Sequence, residues 1–256
     1  MRRSAQLVSQ TLAEVAAFLK PGLTLLEIDQ LAEDFIRSHQ AVPSFKNYQG
    51  FPKSACISVN EAVVHGIPGD YALQSGDIVS VDLGAILDGY HGDSAYTFAI
   101  GAVDEKVLAL LRITKAALYK GIEQAVAGNR VGDIAYAVQQ HTEAEHGYGV
   151  VRELVGHGLG TDLHEDPQIP NYGRRGKGRK LKEGLVICIE PMINLGGKEV
   201  AYLDDGWTVV TKDGSVSAHY EHVVHVRKGA AEVLSDFSII EAAEKANTAL
   251  NDSYLN

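Results

Sequence analysis

Four carboxylates in this chain stand where carboxylates are costly. Asp82 ends the apolar run Ile78-Val79-Ser80-Val81, and Glu190 ends Leu185-Val186-Ile187-Cys188-Ile189. Glu221 sits inside the strand-like stretch from His219 to Val226, and Asp93 follows Gly89-Tyr90-His91-Gly92. An ionised carboxylate in apolar surroundings needs a partner. Several gathered together repel unless they share protons or cations, and a pair of divalent metals would supply the cations. His157, between Gly156 and Gly158, offers an imidazole on a backbone that permits close approach. His65 in Val64-His65-Gly66-Ile67-Pro68 and His164 in Leu163-His164-Glu165-Asp166-Pro167 occupy loops with similar punctuation. Taken singly, each of these histidines also fits a structural or surface role.

The elements that must hold these groups follow one pattern twice. Val8, Leu12, Val15 and Leu19 recur at helical spacing, and Lys20-Pro21-Gly22 closes the helix. Thr24 and Glu27 read as a capping box for a second helix, with Ile28, Leu31, Ala32 and Phe35 on one face. Residues 44–101 read as strands and turns. Ala55–Val59 and Asp77–Leu83 are β-rich, and Leu87-Asp88-Gly89-Tyr90 is a hairpin turn that can bring Asp82 and Asp93 to one face. Helical spacing returns with Val107, Leu111, Thr114, Leu118, Ile122 and Ala125. Gly128-Asn129 breaks it, and Asp133 can cap a further helix carrying Ile134, Ala137, Val138 and His141. From about Gly149 onward strand and loop predominate.

Gly22, Glu27 and Ile28 match Gly128, Asp133 and Ile134 at a constant offset of 106, and Asp82 and Glu190 stand 108 apart. The repeat predicts two similar α+β halves related by a pseudo-twofold axis and sharing one sheet. A chance match of two helical hairpins is the alternative. No compositional linker divides the chain, so residues 1–256 read as a single catalytic domain with halves of about 1–101 and 102–230. The tail of about 231–256 reads as a short helix or a frayed end without a catalytic role.

Composition excludes several classes. Lys and Arg number 23 against 33 Asp and Glu, a net charge of −10, so the chain as a whole is not built to bind nucleic acid. A composition of 45% hydrophobic and 22% charged residues argues against long disordered regions. Two cysteines, Cys56 and Cys188, give no disulfide framework and fit a reducing compartment. Gln6, Ser9, Gln10, Thr11 and Glu14 interrupt the stretch after Met1-Arg2-Arg3, which reads as an amphipathic helix rather than a targeting segment. No run reaches the ~18 apolar residues of a membrane span. A soluble, cytoplasmic protein is expected.

The order Asp82, Asp93, His157, Glu190, Glu221, with His65 and His164 in their loops, resembles the type I methionine aminopeptidases of the bacterial kind, in the M24 metallopeptidases. The resemblance runs from about Gln6 to Val226. It rests on Asn60-Glu61-Ala62-Val63-Val64-His65-Gly66-Ile67-Pro68, His91-Gly92-Asp93-Ser94, Gly156-His157-Gly158, Ile189-Glu190-Pro191-Met192 and Tyr220-Glu221-His222. It implies an α+β pita-bread fold, two pseudo-twofold-related halves sharing a curved antiparallel sheet. It further implies two divalent metals, of identity open among Co, Mn, Fe and Zn. Asp93 and Glu221 would bridge them, Asp82 would complete one shell, and His157 and Glu190 the other. Glu190 would act as acid and base, His164 would stabilise the oxygen that gains charge, and His65 would position the scissile amide.

By the same resemblance Tyr48, Phe51, Cys56, Leu163 and Trp207 line a methionine pocket, with Phe45 nearby; as plain residues they fit a core equally well. Phe45 and Leu163 differ from the Cys and Phe of some bacterial members, and Gly84 stands where Thr is common. These departures bear on selectivity for the first residue and leave the metal shell intact. Cys56 has no general base beside it in sequence and reads as packing. Arg174, Arg175, Lys177, Arg179, Lys180 and Lys182 make a basic loop that is either a solvated turn or a ribosome contact. The expected activity is removal of N-terminal methionine from nascent chains with a small second residue, by a monomer without membrane partners. The alternatives are a related Xaa-Pro aminopeptidase and a non-catalytic peptide-binding module on the same fold.

Overall fold

A computed structural model describes residues 1–255. The last residue of the tail, Asn256, lies outside the described residues. Helix α1 (Arg2–Phe18) buries Val8, Leu12 and Val15, and Leu19 just past its end is buried with them, the stripe the spacing foretells. Helix α2 (Leu25–Ser38) opens on the expected capping box: the Glu27 amide donates to Thr24 Oγ1, and the Thr24 amide donates to Glu27 Oε2 at 2.8 Å. Its fully buried face is Leu25, Ile28, Ala32 and Ile36, with Leu31 and Phe35 at the rim.

Helices α3 (Glu105–Gln124) and α4 (Val131–Gln139) repeat this arrangement in the second half. Asp133 is not the cap residue itself. Arg130 holds that position with no side-chain acceptor, so Asp133, three residues inside, accepts from the Arg130 amide at 2.8 Å. Glu27 does the same for Thr24, so the 106-residue offset carries over into the capping chemistry.

The strands place polar and apolar residues on opposite faces. Ile78–Leu87 and Tyr90–Ala99 form a long hairpin whose turn residues Asp88 and Gly89 have φ of 53° and 79°. That geometry matches the right-handed strand twist. Ala55–Val59 pairs along the other edge of Ile78–Leu87. In the second half Val186–Ile189 pairs with His222–His225, and Gly156–Gly158 lies on its far side. Val79, Val81, Leu83, Ile187, Ile189 and Val224 pack into the main core with the helices. Asp82, Glu190 and Glu221 fall on the alternate positions, away from it.

Regular pairing resolves into four sheets, of four, three, three and five strands, among the described residues. The halves meet at a seam where the Glu221 amide donates to Ala95 O at 2.9 Å and Ser94 Oγ donates to Glu221 O at 2.7 Å. Thr97 Oγ1 continues the seam, donating to His219 O at 2.7 Å.

Of the two readings of the tail, helix holds: α5 (Phe237–Ala246) packs on α1 and buries Phe237 and Ile240. Beyond it Tyr254 is buried, its hydroxyl 2.6 Å from Glu244 Oε1 and 3.1 Å from Thr97 O. The tail thus braces the rear of the strand that carries Asp93. No described helix is long and apolar enough to cross a membrane.

Candidate active site

The site lies on the sheet face turned away from the helices. Gly84 is cross-strand partner to Asp93, and Asp82 to Ala95, so the two acids are diagonal neighbours on one face. Ile189 pairs with His222 and Met192 with His219. Glu190 and Glu221 occupy the break between those pairs, where the strands part and side chains can turn inward. Asn171 Nδ2 donates to Glu190 O at 2.9 Å and holds that break.

His157 completes the group. Its Nδ1 lies 2.9 Å from Gly158 O, which only accepts, so the ring proton is on Nδ1 and the Nε2 lone pair is free. Nε2 is 3.5 Å from Glu190 Oε1 and 3.9 Å from Asp93 Oδ2. One ligand atom each from Asp93, His157, Cys188 and Glu221 lie within 4.8 Å of one another. All five expected metal ligands line one cleft of about 310 Å3.

The electrostatics show what this gathering costs. Asp93 and Glu221 are 3% and 2% exposed. Burial, then the Glu221 and Asp82 charges, push Asp93 well above the usual carboxylate range. Burial, then Glu190 and Asp82, do the same to Glu221. Burial raises Asp82 to about 7, and burial with Asp82 and Asp93 raises Glu190. His157 is lowered to about 4 by burial and then by His164. Asp82 Oδ1, Asp93 Oδ1 and Glu221 Oε1 are buried without a hydrogen-bond partner. Orphaned carboxylate oxygens around an imidazole lone pair fit a divalent cation, and the Nδ1–Gly158 bond fixes the His157 ring with its free Nε2 toward them.

The remaining expected residues converge on the same cleft. His65, with φ of 58°, lines it, and burial lowers its imidazole to about 4. His164 places Nδ1 2.7 Å from the Tyr48 hydroxyl and its ring centre 4.3 Å from that of His157. Phe45, Phe51, Cys56 and Leu163 form an apolar cluster with Tyr48 and Trp207 at its edge. Phe51 meets Trp207 edge-on at 5.2 Å. Burial pushes the Cys56 thiol up, which suits packing rather than nucleophilic attack. A Cβ on Gly84 would lie 2.7 Å from Phe45 Cε1 and 2.7 Å from Ser44 Cβ, so the Phe45 ring rests in the space a side chain would fill.

Sequence reasoning missed four residues that serve the site. Cys188 stands beside Glu221, and its position two residues before Glu190 was the available signal. His219 Nε2 is 3.8 Å from Glu190 Oε2, and its ring is lowered to about 3 by burial and then by His65. Asp29 and Glu33 on α2 tie down the pocket segment. Asp29 Oδ1 accepts from the Ser54 and Ala55 amides, both at 2.9 Å. Glu33 accepts from Lys46 Nζ at 2.6 Å, Arg37 Nε at 2.7 Å and Ser54 Oγ at 2.8 Å. Burial opposes ionisation of Glu33, but these donors outweigh it and hold the carboxyl at about 2. The i, i+4 spacing of two acids on an apolar helix face was the clue.

The basic loop is pinned to the start of α4: the Gly176 amide donates to Asp133 Oδ1 and Arg130 Nη1 to Gly178 O, each at 2.8 Å. Its six basic side chains face solvent.

The α+β sheet thus presents a carboxylate–imidazole cleft suited to a divalent metal. Residues 1–228 match the metallopeptidase family M24, and the chain belongs to that family. The methionine aminopeptidase of Clostridium acetobutylicum is 50% identical over 236 residues, covering 92% of this chain and 94% of that one. The crystal structure of methionine aminopeptidase from Rickettsia prowazekii superposes with a TM-score of 0.90 at 43% identity, covering 92% of this chain and 95% of that one. The X-Pro aminopeptidase from Thermotoga maritima has a TM-score of 0.72 at 21% identity, covering 92% of this chain and 59% of that one, a likeness of fold alone. The expected pita-bread architecture is thereby borne out.

Proposed function

We propose that this chain removes the N-terminal methionine from newly made polypeptides whose second residue is small, with divalent metal ions as cofactors. The observation that carries the reading is the convergence of Asp82, Asp93, His157, Glu190 and Glu221 on one cleft beside an apolar pocket. Asp82, Asp93, His157, Glu190 and Glu221 would hold the ions, through carboxylate oxygens and the free Nε2 of His157. Bound there, the ions supply Lewis acidity that activates water and polarises the scissile carbonyl.

Glu190 takes the proton of the attacking water on its carboxylate and returns it to the leaving amine. His164 donates to the substrate oxygen as that oxygen gains charge. His65 positions the scissile amide nitrogen. Asp82 meets the free α-amine, which confines cleavage to the first peptide bond. Tyr48, Phe51, Cys56, Leu163 and Trp207 receive the methionine side chain, where aromatic rings favour sulfur.

Residues 1–256 act as one catalytic unit, with halves of about 1–101 and 102–230 joined along the Ala95–Glu221 seam. The enzyme works as a monomer in the cytoplasm. The loop Arg174–Lys182 meets ribosomal RNA where nascent chains emerge. Salt-sensitive co-sedimentation with ribosomes that is lost when Arg174, Arg175 and Lys177 become Ala supports this contact; unchanged co-sedimentation removes it.

A peptide panel tests the activity. The metal-loaded enzyme is expected to cleave Met-Ala-Ser and to spare Ala-Pro-Ala. The reverse pattern identifies an Xaa-Pro aminopeptidase, and binding of peptides without cleavage of either identifies a non-catalytic module.

A further inference from the structure

Two histidines 4.3 Å apart in this cleft have unlike partners at Nδ1. His157 faces the carbonyl of Gly158 at 2.9 Å, an acceptor only. His164 faces the Tyr48 hydroxyl at 2.7 Å, which can accept or donate. We propose that Tyr48 is a positioning residue that sets the tautomer of His164: its O–H donates to Nδ1, and the ring proton resides on Nε2. This rests on the role given above to His164, donation to the substrate oxygen.

A neutral imidazole carries one proton, and only the nitrogen bearing it can donate. Nδ1 of His164 is occupied by Tyr48, so Nε2 is the nitrogen left for substrate. Were the proton on Nδ1, it would point at the phenol oxygen, and Nε2 would offer a lone pair to an oxygen gaining negative charge. Only Tyr48 O–H to Nδ1 together with Nε2–H to substrate makes both bonds. A carbonyl in place of Tyr48 would impose the opposite tautomer, as Gly158 does on His157. The neighbouring histidines thus hold opposite tautomers, one a lone-pair donor to metal and the other a hydrogen-bond donor to oxygen.

The backbone keeps the phenol in place. Asn47 and Gln49, on either side of Tyr48, have φ of 68° and 50°, left-handed values that non-glycine residues rarely adopt. The turn closes through Tyr48 N–H to Phe45 O and Phe51 N–H to Tyr48 O, both at 2.9 Å. Phe45 and Phe51 are buried on each side, and Lys46 is anchored to Glu33 at 2.6 Å. The two aromatic rings themselves sit 5.2 Å apart.

Tyr48→Phe keeps the ring and removes the donor. In the zinc-loaded enzyme, kcat for Met-Ala-Ser should fall about tenfold with KM within about twofold, since one oxyanion donor is misdirected rather than deleted. Nitrogen-15 correlation spectra with methionine as the probe should show His164 protonated on Nε2 in the parent and a growing Nδ1–H population in Tyr48→Phe. In a His164→Ala background, Tyr48→Phe should change kcat less than about twofold. Parent-like kcat and an unchanged tautomer in Tyr48→Phe, with His164→Ala impaired, overturn the proposal while sparing the role of His164. Near-normal turnover by His164→Ala removes that role and the proposal with it.

Discussion

Glu190 Oε1 lies 3.5 Å from His157 Nε2, because the bond from His157 Nδ1 to Gly158 O turns the ring edge toward the carboxylate. In the proposed mechanism this one carboxylate would serve both the metal and the attacking water. Glu190→Gln keeps the shape and removes the proton acceptor. Turnover of Met-Ala-Ser should drop by about 10²–10⁴-fold, the usual weight of general acid–base catalysis, with the fold intact by circular dichroism. Near-normal activity would place the acid/base role elsewhere.

Asp93 and Glu221 are buried acids whose charges oppose each other. Removing one relieves that repulsion in the metal-free chain and weakens the site for metal. Asp93→Asn should therefore raise the melting temperature of chelator-treated protein, by about 1–3 kcal/mol in stability, while abolishing the rise that added Mn²⁺ gives the parent. Calorimetry on both forms checks it. A metal-free variant less stable than the parent would mean that the acids are held apart.

The packing of Phe45 over Gly84 makes a steric prediction. A Cβ at position 84 meets Phe45 Cε1 and Ser44 Cβ, each at 2.7 Å. Gly84→Ala should cost about 1–3 kcal/mol by overpacking and raise KM for Met-Ala-Ser, because the displaced ring enters the pocket. Phe45→Ala in the same chain should restore part of the loss. Strictly additive effects of the two changes would contradict the contact.

Behind the site, burial raises the Glu244 carboxyl from its ordinary 4.5 to about 7, although Tyr254, at 2.6 Å, and Tyr96, at 3.0 Å, donate to it. A group that holds its proton more tightly folded than unfolded subtracts stability as pH rises from 4.5 to about 7. Glu244→Gln removes this titration. The stability gain of the variant should be near zero at the acid end of that window and reach at most about 3 kcal/mol above it. Urea unfolding at several pH values reads this directly, and a gain independent of pH would refute it.

Local chemistry was legible in the sequence and long-range chemistry was not. The Thr24–Glu27 capping box, the Asp88-Gly89 turn and the acids ending apolar strands are written within a few residues. Asp82 and Glu190 stand out because each ends a hydrophobic run and Glu221 because it sits in a strand-like stretch, whereas Asp93 and His157 stand out only by their glycine-punctuated motifs. Tyr48 reads as a pocket wall because its bond to His164 spans 116 positions. Cys188 hides as one apolar residue among Ile187 and Ile189, and only strand alternation turns it toward Glu221. Asp29 and Glu33 share the apolar face of their helix, but their partners Ser54 and Lys46 lie too far along the chain to be read from it. The tail gives no hint of the Tyr254 bond to Thr97, since its partner lies 157 residues away.

The central claim is that side chains scattered between positions 82 and 221 jointly hold divalent cations. Anomalous diffraction from crystals of Mn²⁺-loaded protein, kept reduced and free of chelators, tests it most directly. Two peaks are expected, both in contact with Asp93 and Glu221, one also touching Asp82 and the other His157 and Glu190. Fully occupied manganese bound elsewhere, with that cleft empty, would contradict it.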